Sequence, residues 1–200
     1  LAYDHVLGAN RSRTGGFTGK YDHESMFHEP FVLFGYLAAI TKHLELVTGI
    51  IILPQRQTAL VAKQATEIDI LSGGRLRLGI GVGWNPVEYE ALGQDFHIRG
   101  RRIEEQITLL RRLWTEPLVS FIGDFDQIND AGLNPLPEKS IPIWFGGMSP
   151  VVLDRLGRMA DGWFPQYQSP SELPNGLERI YESANDARRD PKSLGVEARI

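Results

Sequence analysis

The sequence predicts an α/β fold in which parallel strands alternate with helices, and three observations carry the prediction. Residues 44–53, LELVTGIIIL, form an apolar, β-branched run without polar alternation, the pattern of a strand covered on both faces. A helical period follows directly, at Val61, Ala65, Ile68 and Leu71. The same strand-then-helix order recurs to give four such units, which suits either a doubly wound sheet or a (β/α)8 barrel.

In chain order, Leu1-Ala2-Tyr3 reads as the tail of a strand, and a first residue other than Met leads us to expect a piece of a longer chain. Residues 10–21, NRSRTGGFTGKY, are polar and glycine-rich and are expected to form a loop. The 44–53 strand stops at Pro54, and the helix over 58–71 stops at Ser72-Gly73-Gly74. LRLGIG at 76–81 is a second buried strand. Asn85-Pro86, with Glu88 three positions past Asn85, has the form of a helix start. Ile103, Ile107, Leu110 and Leu113 give a helix over 99–114, on which Glu104-Glu105 reads as solvated charge. Residues 118–137 contain VSFIGDFDQI, two short β-like runs about a Gly-Asp turn, and are expected to form an inserted hairpin. A strand over 141–145, a helix over 150–160 opening at Ser149, a strand over 162–164, a helix over 172–188 and a strand over 196–200 complete the pattern. No repeat or linker divides the chain, so one domain over 1–200 is expected.

Composition narrows the function classes. With 42% hydrophobic and 23% charged residues the chain has the balance of a folded domain rather than a disordered one. Its net charge of −4 disfavours nucleic acid and anionic membranes as partners. The absence of cysteine rules out disulfides, a thiolate nucleophile and Cys-ligated metal, and fits a reducing, cytoplasmic compartment. No apolar run approaches the roughly 20 residues of a membrane span.

Residues past the strand ends are the candidates for chemistry. Gly79-Ile80-Gly81-Val82-Gly83-Trp84-Asn85-Pro86 is either a tight strand-to-helix turn or a place where a ligand meets backbone; Trp84 stands where a dinucleotide fingerprint needs its third glycine. Gly146-Gly147-Met148-Ser149-Pro150 leads into a helix and suits a phosphate, or is an unliganded turn. Asp4-His5 follows a strand end, where histidine serves as acid–base group or as structure. Trp84, Trp163 and Phe164 line an apolar substrate pocket or are packed core. The other histidines lack ligand spacing, so no metal site is expected.

Asp4-His5, residues 46–93, RRIEEQITLLRRLW at 101–114, IPIWFGG and DGWFP together resemble the luciferase-like monooxygenase superfamily, in its flavin- and deazaflavin-dependent branches. The resemblance spans nearly the whole chain. It implies a (β/α)8 barrel of the luciferase-like type, holding coenzyme F420 or, alternatively, FMN at its C-terminal mouth, with the first strand and the C-terminal end outside this sequence. By the same resemblance Thr48, Gly49 and Ile50 match a bulged strand that backs the cofactor ring, with Gly49–Ile50 as the candidate cis peptide. Gly81, Gly83 and Asn85 match positions near the ring's polar edge and ribityl chain, and Gly146, Gly147 and Ser149 match a phosphate-binding turn. His5 matches a histidine near the reactive ring carbon, with Asp4 as its neighbour. The loop carrying Arg11, Arg13 and Lys20 closes over the site, meets an acidic cofactor tail, or is simply solvated. Trp84 replaces the glutamate acid of the sugar-phosphate-oxidising branch, and the reactive cysteine of bacterial luciferase has no counterpart. The implied function is hydride transfer between C5 of a deazaflavin and a small organic substrate. The alternatives are an FMN-dependent monooxygenase and a non-catalytic flavin-binding relative, and relatives suggest a homodimer.

Overall fold

A computed structural model describes residues 1–166 and 170–198. After an irregular N-terminal stretch come α1 (Pro30–Ile40), β1 (Leu46–Val47), β2 (Ile51–Ile52), a 3-10 turn (Leu53–Gln55), α2 (Thr58–Ser72), β3 (Leu76–Gly81), α3 (Pro86–Ala91) and α4 (Arg99–Thr115). The hairpin β4 (Val119–Ile122) and β5 (Gln127–Ala131) follows, then β6 (Ile143–Gly146), α5 (Pro150–Met159), β7 (Gly162–Phe164), α6 (Leu173–Asp186) and β8 (Gly195–Val196). The main sheet is parallel in the order β1-β3-β6-β7-β8, with β2 also on β3. It is a curled sheet with helices outside, of the (β/α)8 type.

The alternation of strand side chains separates two layers. Leu76, Leu78, Ile80, Ile143, Phe145 and Trp163 join the helices in one apolar core, with Leu78 in register with Ile143 and Phe145 with Trp163. The opposite, inner face carries Arg77, Gly79, Gly81, Trp144, Gly146 and Phe164. There the indole of Trp144 lies where Cβ atoms on Gly162 and Gly195 would be, 2.3 and 2.5 Å from its ring atoms. Small residues on β7 and β8 therefore make room for one large ring on β6.

The expected strand over 44–53 is broken into β1 and β2. Two hydrogen bonds break it: Thr48 Oγ1 donates to the Gly79 carbonyl (2.7 Å) and Gly49 N–H donates to the Ala2 carbonyl (2.6 Å); the Gly49–Ile50 peptide is cis. Ala2 bridges Thr48 in parallel, so Leu1-Ala2-Tyr3 does lie beside the sheet as a strand tail would. Pro54 then opens the 3-10 turn. α1 has no counterpart among the expected elements, because PFVLFGYLAAI is apolar all round and has no polar face to give a period; Glu29 caps it by accepting from Val32 N–H (2.7 Å), with Pro30 at its first turn. α2 ends as expected, with Gly73 left-handed at φ 71°. The 118–137 segment holds the expected antiparallel hairpin. The final strand is shorter than expected, and residues 199 and 200 of it lie outside the described residues. Among the described residues no helix is long and apolar enough to cross a membrane, and no three acidic, histidine or cysteine side chains gather for a metal.

Candidate functional site

The C-terminal ends of β3, β6 and β7 meet around Ile50, the residue just before β2. A Cβ on Gly81, the last residue of β3, would lie 2.8 Å from Ile50 Cδ1, and one on Gly146, the last of β6, 3.0 Å from Ile50 Cγ2. Glycine at both strand ends lets this side chain lie across them as an apolar ledge. A small cavity of about 50 Å³ opens beside it, lined by Leu1, Gly49, Ile50, Phe164, Pro165 and Gln166. Thr48 is fully buried beneath, and a Cβ on Gly79 would strike both the Thr48 carbonyl and the Phe164 ring. Gly83 has φ +65°, with Ile52 against the space a side chain would need.

His5 occupies a second cluster near that mouth. Its ring packs at 4.8 Å from Phe27, 5.3 Å from Tyr21 and 5.6 Å from Trp84, and Phe17 leans on Trp84 at 6.1 Å. The glycine-rich loop thus lies over His5. Arg11 in that loop is engaged by Asp22 (2.5 Å), which holds the Asp22 carboxyl below its usual range, while Lys20 sits over the Tyr21 ring. His5 Nδ1 meets Glu88 Oε2 at 3.0 Å, and Glu88 Oε1 accepts Val6 N–H at 2.8 Å. Asn85 caps α3 by accepting Val87 N–H (3.1 Å), which aims the first turn, and Glu88 with it, back at His5. Tyr89, next in line, donates to the Val82 carbonyl (2.6 Å), and burial raises its phenol well above the ordinary value.

Asp4, though adjacent to His5, turns into the wall. Its carboxylate accepts Ile52 N–H (2.9 Å) and pairs with Arg56 (2.8 Å), which also reaches Glu29 (3.0 Å). Burial pulls the Arg56 guanidinium down, but the two carboxylates more than offset it and hold it above its ordinary value. This triad ties the His5 segment to β2 and to the start of α1.

The Gly146–Ser149 turn leads into α5. Gly147 has φ +131° and its carbonyl accepts from Trp163 Nε1 (2.9 Å), so Trp163 is packed core supporting the turn from behind rather than part of the mouth. Ser149 stands at the N-cap position, as expected, though among the described residues its hydroxyl makes no capping bond; its carbonyl is what α5 uses, accepting Val152 and Leu153 N–H. No acidic residue lies in the first turn of α5. An exposed free hydroxyl at an unneutralised helix start fits a phosphate, and the apolar ledge of Ile50 fits one face of a flat ring. Of the expected pocket residues, Phe164 borders the cavity and half-exposed Trp84 borders His5, in two separate groups.

Glu88, Tyr21, Phe27 and Arg56 are the residues that sequence reasoning missed. Glu88 had been absorbed into a helix-start motif, and only the fold brings it to a residue 83 positions away. A signal did exist: a carboxylate between Val87 and Tyr89, on a helix start that follows a buried strand, has few places to reach water.

Comparison with known proteins bears on the family and the fold. The model of the luciferase-like monooxygenase family matches residues 3–200. The chain is 38% identical over 161 residues to an uncharacterized protein of Mycobacterium tuberculosis, covering 80% of this chain and 56% of that one. It is 33% identical over 189 residues to an FMNH2-dependent dimethylsulfone monooxygenase of Pseudomonas fluorescens, covering 92% and 50%. Among solved structures, an F420-dependent secondary alcohol dehydrogenase in complex with an F420–acetone adduct superposes with a TM-score of 0.82 at 24% identity, over 91% of this chain and 57% of that one. At that identity the likeness concerns the fold. The chain spans about half the length of the curated relatives it matches. From the match over nearly all of its length, the chain belongs to the luciferase-like monooxygenase family.

Proposed function

We propose that this chain forms most of the cofactor-binding mouth of a cytoplasmic oxidoreductase that uses coenzyme F420 and moves a hydride to or from a small organic substrate. The observation that carries the reading is the mouth itself: Ile50 laid across the glycine ends of β3 and β6, with the free Ser149 hydroxyl at the start of α5. The GVGWNPVEYEALG stretch, which resembles the deazaflavin branch, favours F420 over FMN. When bound, a deazaflavin supplies a hydride donor or acceptor at C5. Gly49 and Ile50 would back its ring, Gly81, Gly83 and Asn85 would border its polar edge, and Gly146, Gly147 and Ser149 would hold its phosphate. His5 carries the accompanying proton, Asp4 braces it through Arg56 and β2, and Trp84 and Phe164 face the substrate. The exposed Val32, Tyr36 and Ile40 on the outer side of α1 suit a homodimer contact. A second reading, an FMN-dependent monooxygenase, is favoured by the 33% identity to the dimethylsulfone enzyme.

The test is to titrate the whole protein separately with F420 and FMN, following cofactor fluorescence, beside a Ser149→Asp variant. Aspartate is a good N-cap and its charge suits a helix start, so the variant is expected to melt at the wild-type temperature or higher. It should nonetheless bind F420 at least tenfold more weakly, because its charge repels the phosphate. Preference for FMN would replace the first reading with the second, and binding of neither would overturn both.

A further inference from the structure

Glu88 is 0% exposed, yet among the described residues no lysine or arginine pairs with it. Its partners are the His5 ring at Nδ1 (3.0 Å) and the N–H groups of Val6 (2.8 Å) and Leu7 (3.5 Å). Burying a carboxylate without a fixed cation is costly, and hydrogen bonds from neutral donors offset only part of that cost. With Glu88 acting as the acceptor it already is for Val6 and Leu7 N–H, the proton on the shared line sits on Nδ1. Among the described residues the other ring nitrogen, Nε2, makes no hydrogen bond. The walls around the ring are Tyr21, Phe27 and Trp84, which hold its plane.

We infer that Glu88 is a positioning residue for His5: it fixes the Nδ1–H tautomer, so that Nε2 presents its lone pair as the proton-accepting atom. The same carboxylate grips the backbone after His5, so one side chain sets both tautomer and ring placement. The inference rests on reading His5 as the proton carrier, but it concerns the His5 ring itself and can be measured without any cofactor. It also gives α3 a role beyond joining β3 to α4 and packing Tyr89: this short helix delivers the carboxylate to His5.

The experiment is long-range proton–nitrogen NMR of the neutral histidine rings in the whole, cofactor-free protein, with His5→Gln identifying the His5 signals among those of the chain's five histidines. The Nδ1–H tautomer is expected in the wild type. In Glu88→Gln, whose amide can turn its NH2 toward Nδ1, the signal should move to the Nε2–H tautomer or a mixture. Turnover by that variant should fall on the order of 100-fold in kcat, with KM and cofactor Kd within twofold. A wild-type Nε2–H tautomer overturns the inference, even if the variant fails to fold. An unchanged tautomer in Glu88→Gln overturns it as well. Full turnover by His5→Gln would instead sink the proton-carrier reading of His5 and leave the tautomer result standing.

Discussion

Gln55 is 4% exposed, and among the described residues neither its amide oxygen nor its amide nitrogen finds a hydrogen-bond partner. An unpaired buried amide costs about 1–3 kcal/mol, so a side chain of similar volume without polar atoms should do no worse there. We expect Gln55→Leu to melt at or above the wild-type temperature, and a thermal or denaturant melt decides. A loss of more than about 1 kcal/mol would mean that the amide has a partner in solution. This residue also marks where sequence reading stops. LPQRQT follows a strand and looks like a polar exit loop, yet the 3-10 turn packs under α4, whose Gln106 donates to the Arg56 carbonyl (3.0 Å) and whose Arg102 approaches the same oxygen. His5 was legible as a candidate because strand ends in α/β folds carry chemistry. For Glu88 the sequence shows at most a carboxylate with few routes to water, because its partner is fixed by tertiary packing.

At the scale of elements, the hairpin shows how much a single side chain organises. The Glu105 carboxylate on α4 accepts N–H bonds from Asp124 (2.7 Å), Phe125 (2.9 Å) and Asp126 (2.7 Å), three consecutive donors of the β4-β5 turn. Glu104 beside it binds Arg155 and Arg158 on α5. The expectation of two solvated charges therefore misses what both do, since each one, though still partly exposed, ties α4 to a neighbour. Charge-accepted bonds of this kind contribute about 1.5–3 kcal/mol, so Glu105→Ala should loosen the turn locally rather than unfold the sheet. Amide hydrogen exchange should show residues 123–127 losing protection by 10-fold or more while β3 and β6 keep theirs; equal loss in both would show that the hairpin is part of the main cooperative unit. Elements with a polar face or a clear stop signal, such as α2 with Gly73 and α4 with its apolar stripe, could be read from the sequence. α1 could not, because an all-apolar helix and a buried strand carry the same signal in one dimension. The break between β1 and β2 is legible only through the family resemblance, which puts a bulge at Thr48, Gly49 and Ile50; periodicity does not show it, because it depends on Thr48 and Gly49 bonding to residues far away in the chain.

The curled sheet as a whole is pinned from inside by Arg77. It projects from β3 onto the inner face, pairs with Glu45 just before β1 and with Glu197 just after β8 (2.5 Å), and lies over the rings of Trp144 on β6 (4.4 Å) and Phe164 on β7 (5.8 Å). Every parallel strand except β2 is therefore within its reach. Burial pulls its guanidinium down, but the two glutamates more than offset this and hold it above its ordinary value. Two forces compete to explain its contribution. If ion pairing dominated, lysine would serve nearly as well and added salt would weaken the fold. The glutamate side chains are about half exposed, at 54% and 52%, so water and ions screen them and each pair adds little. The guanidinium over two aromatic rings is shielded, and it gains more there than a compact, strongly hydrated lysine ammonium would. We therefore expect Arg77→Lys to cost about 1–2 kcal/mol, at least half the loss seen with Arg77→Met. The wild-type melting temperature should be nearly the same at 0.1 and 1 M NaCl. A lysine variant as stable as the wild type, together with a wild type that melts lower in high salt, would show instead that charge closes the sheet.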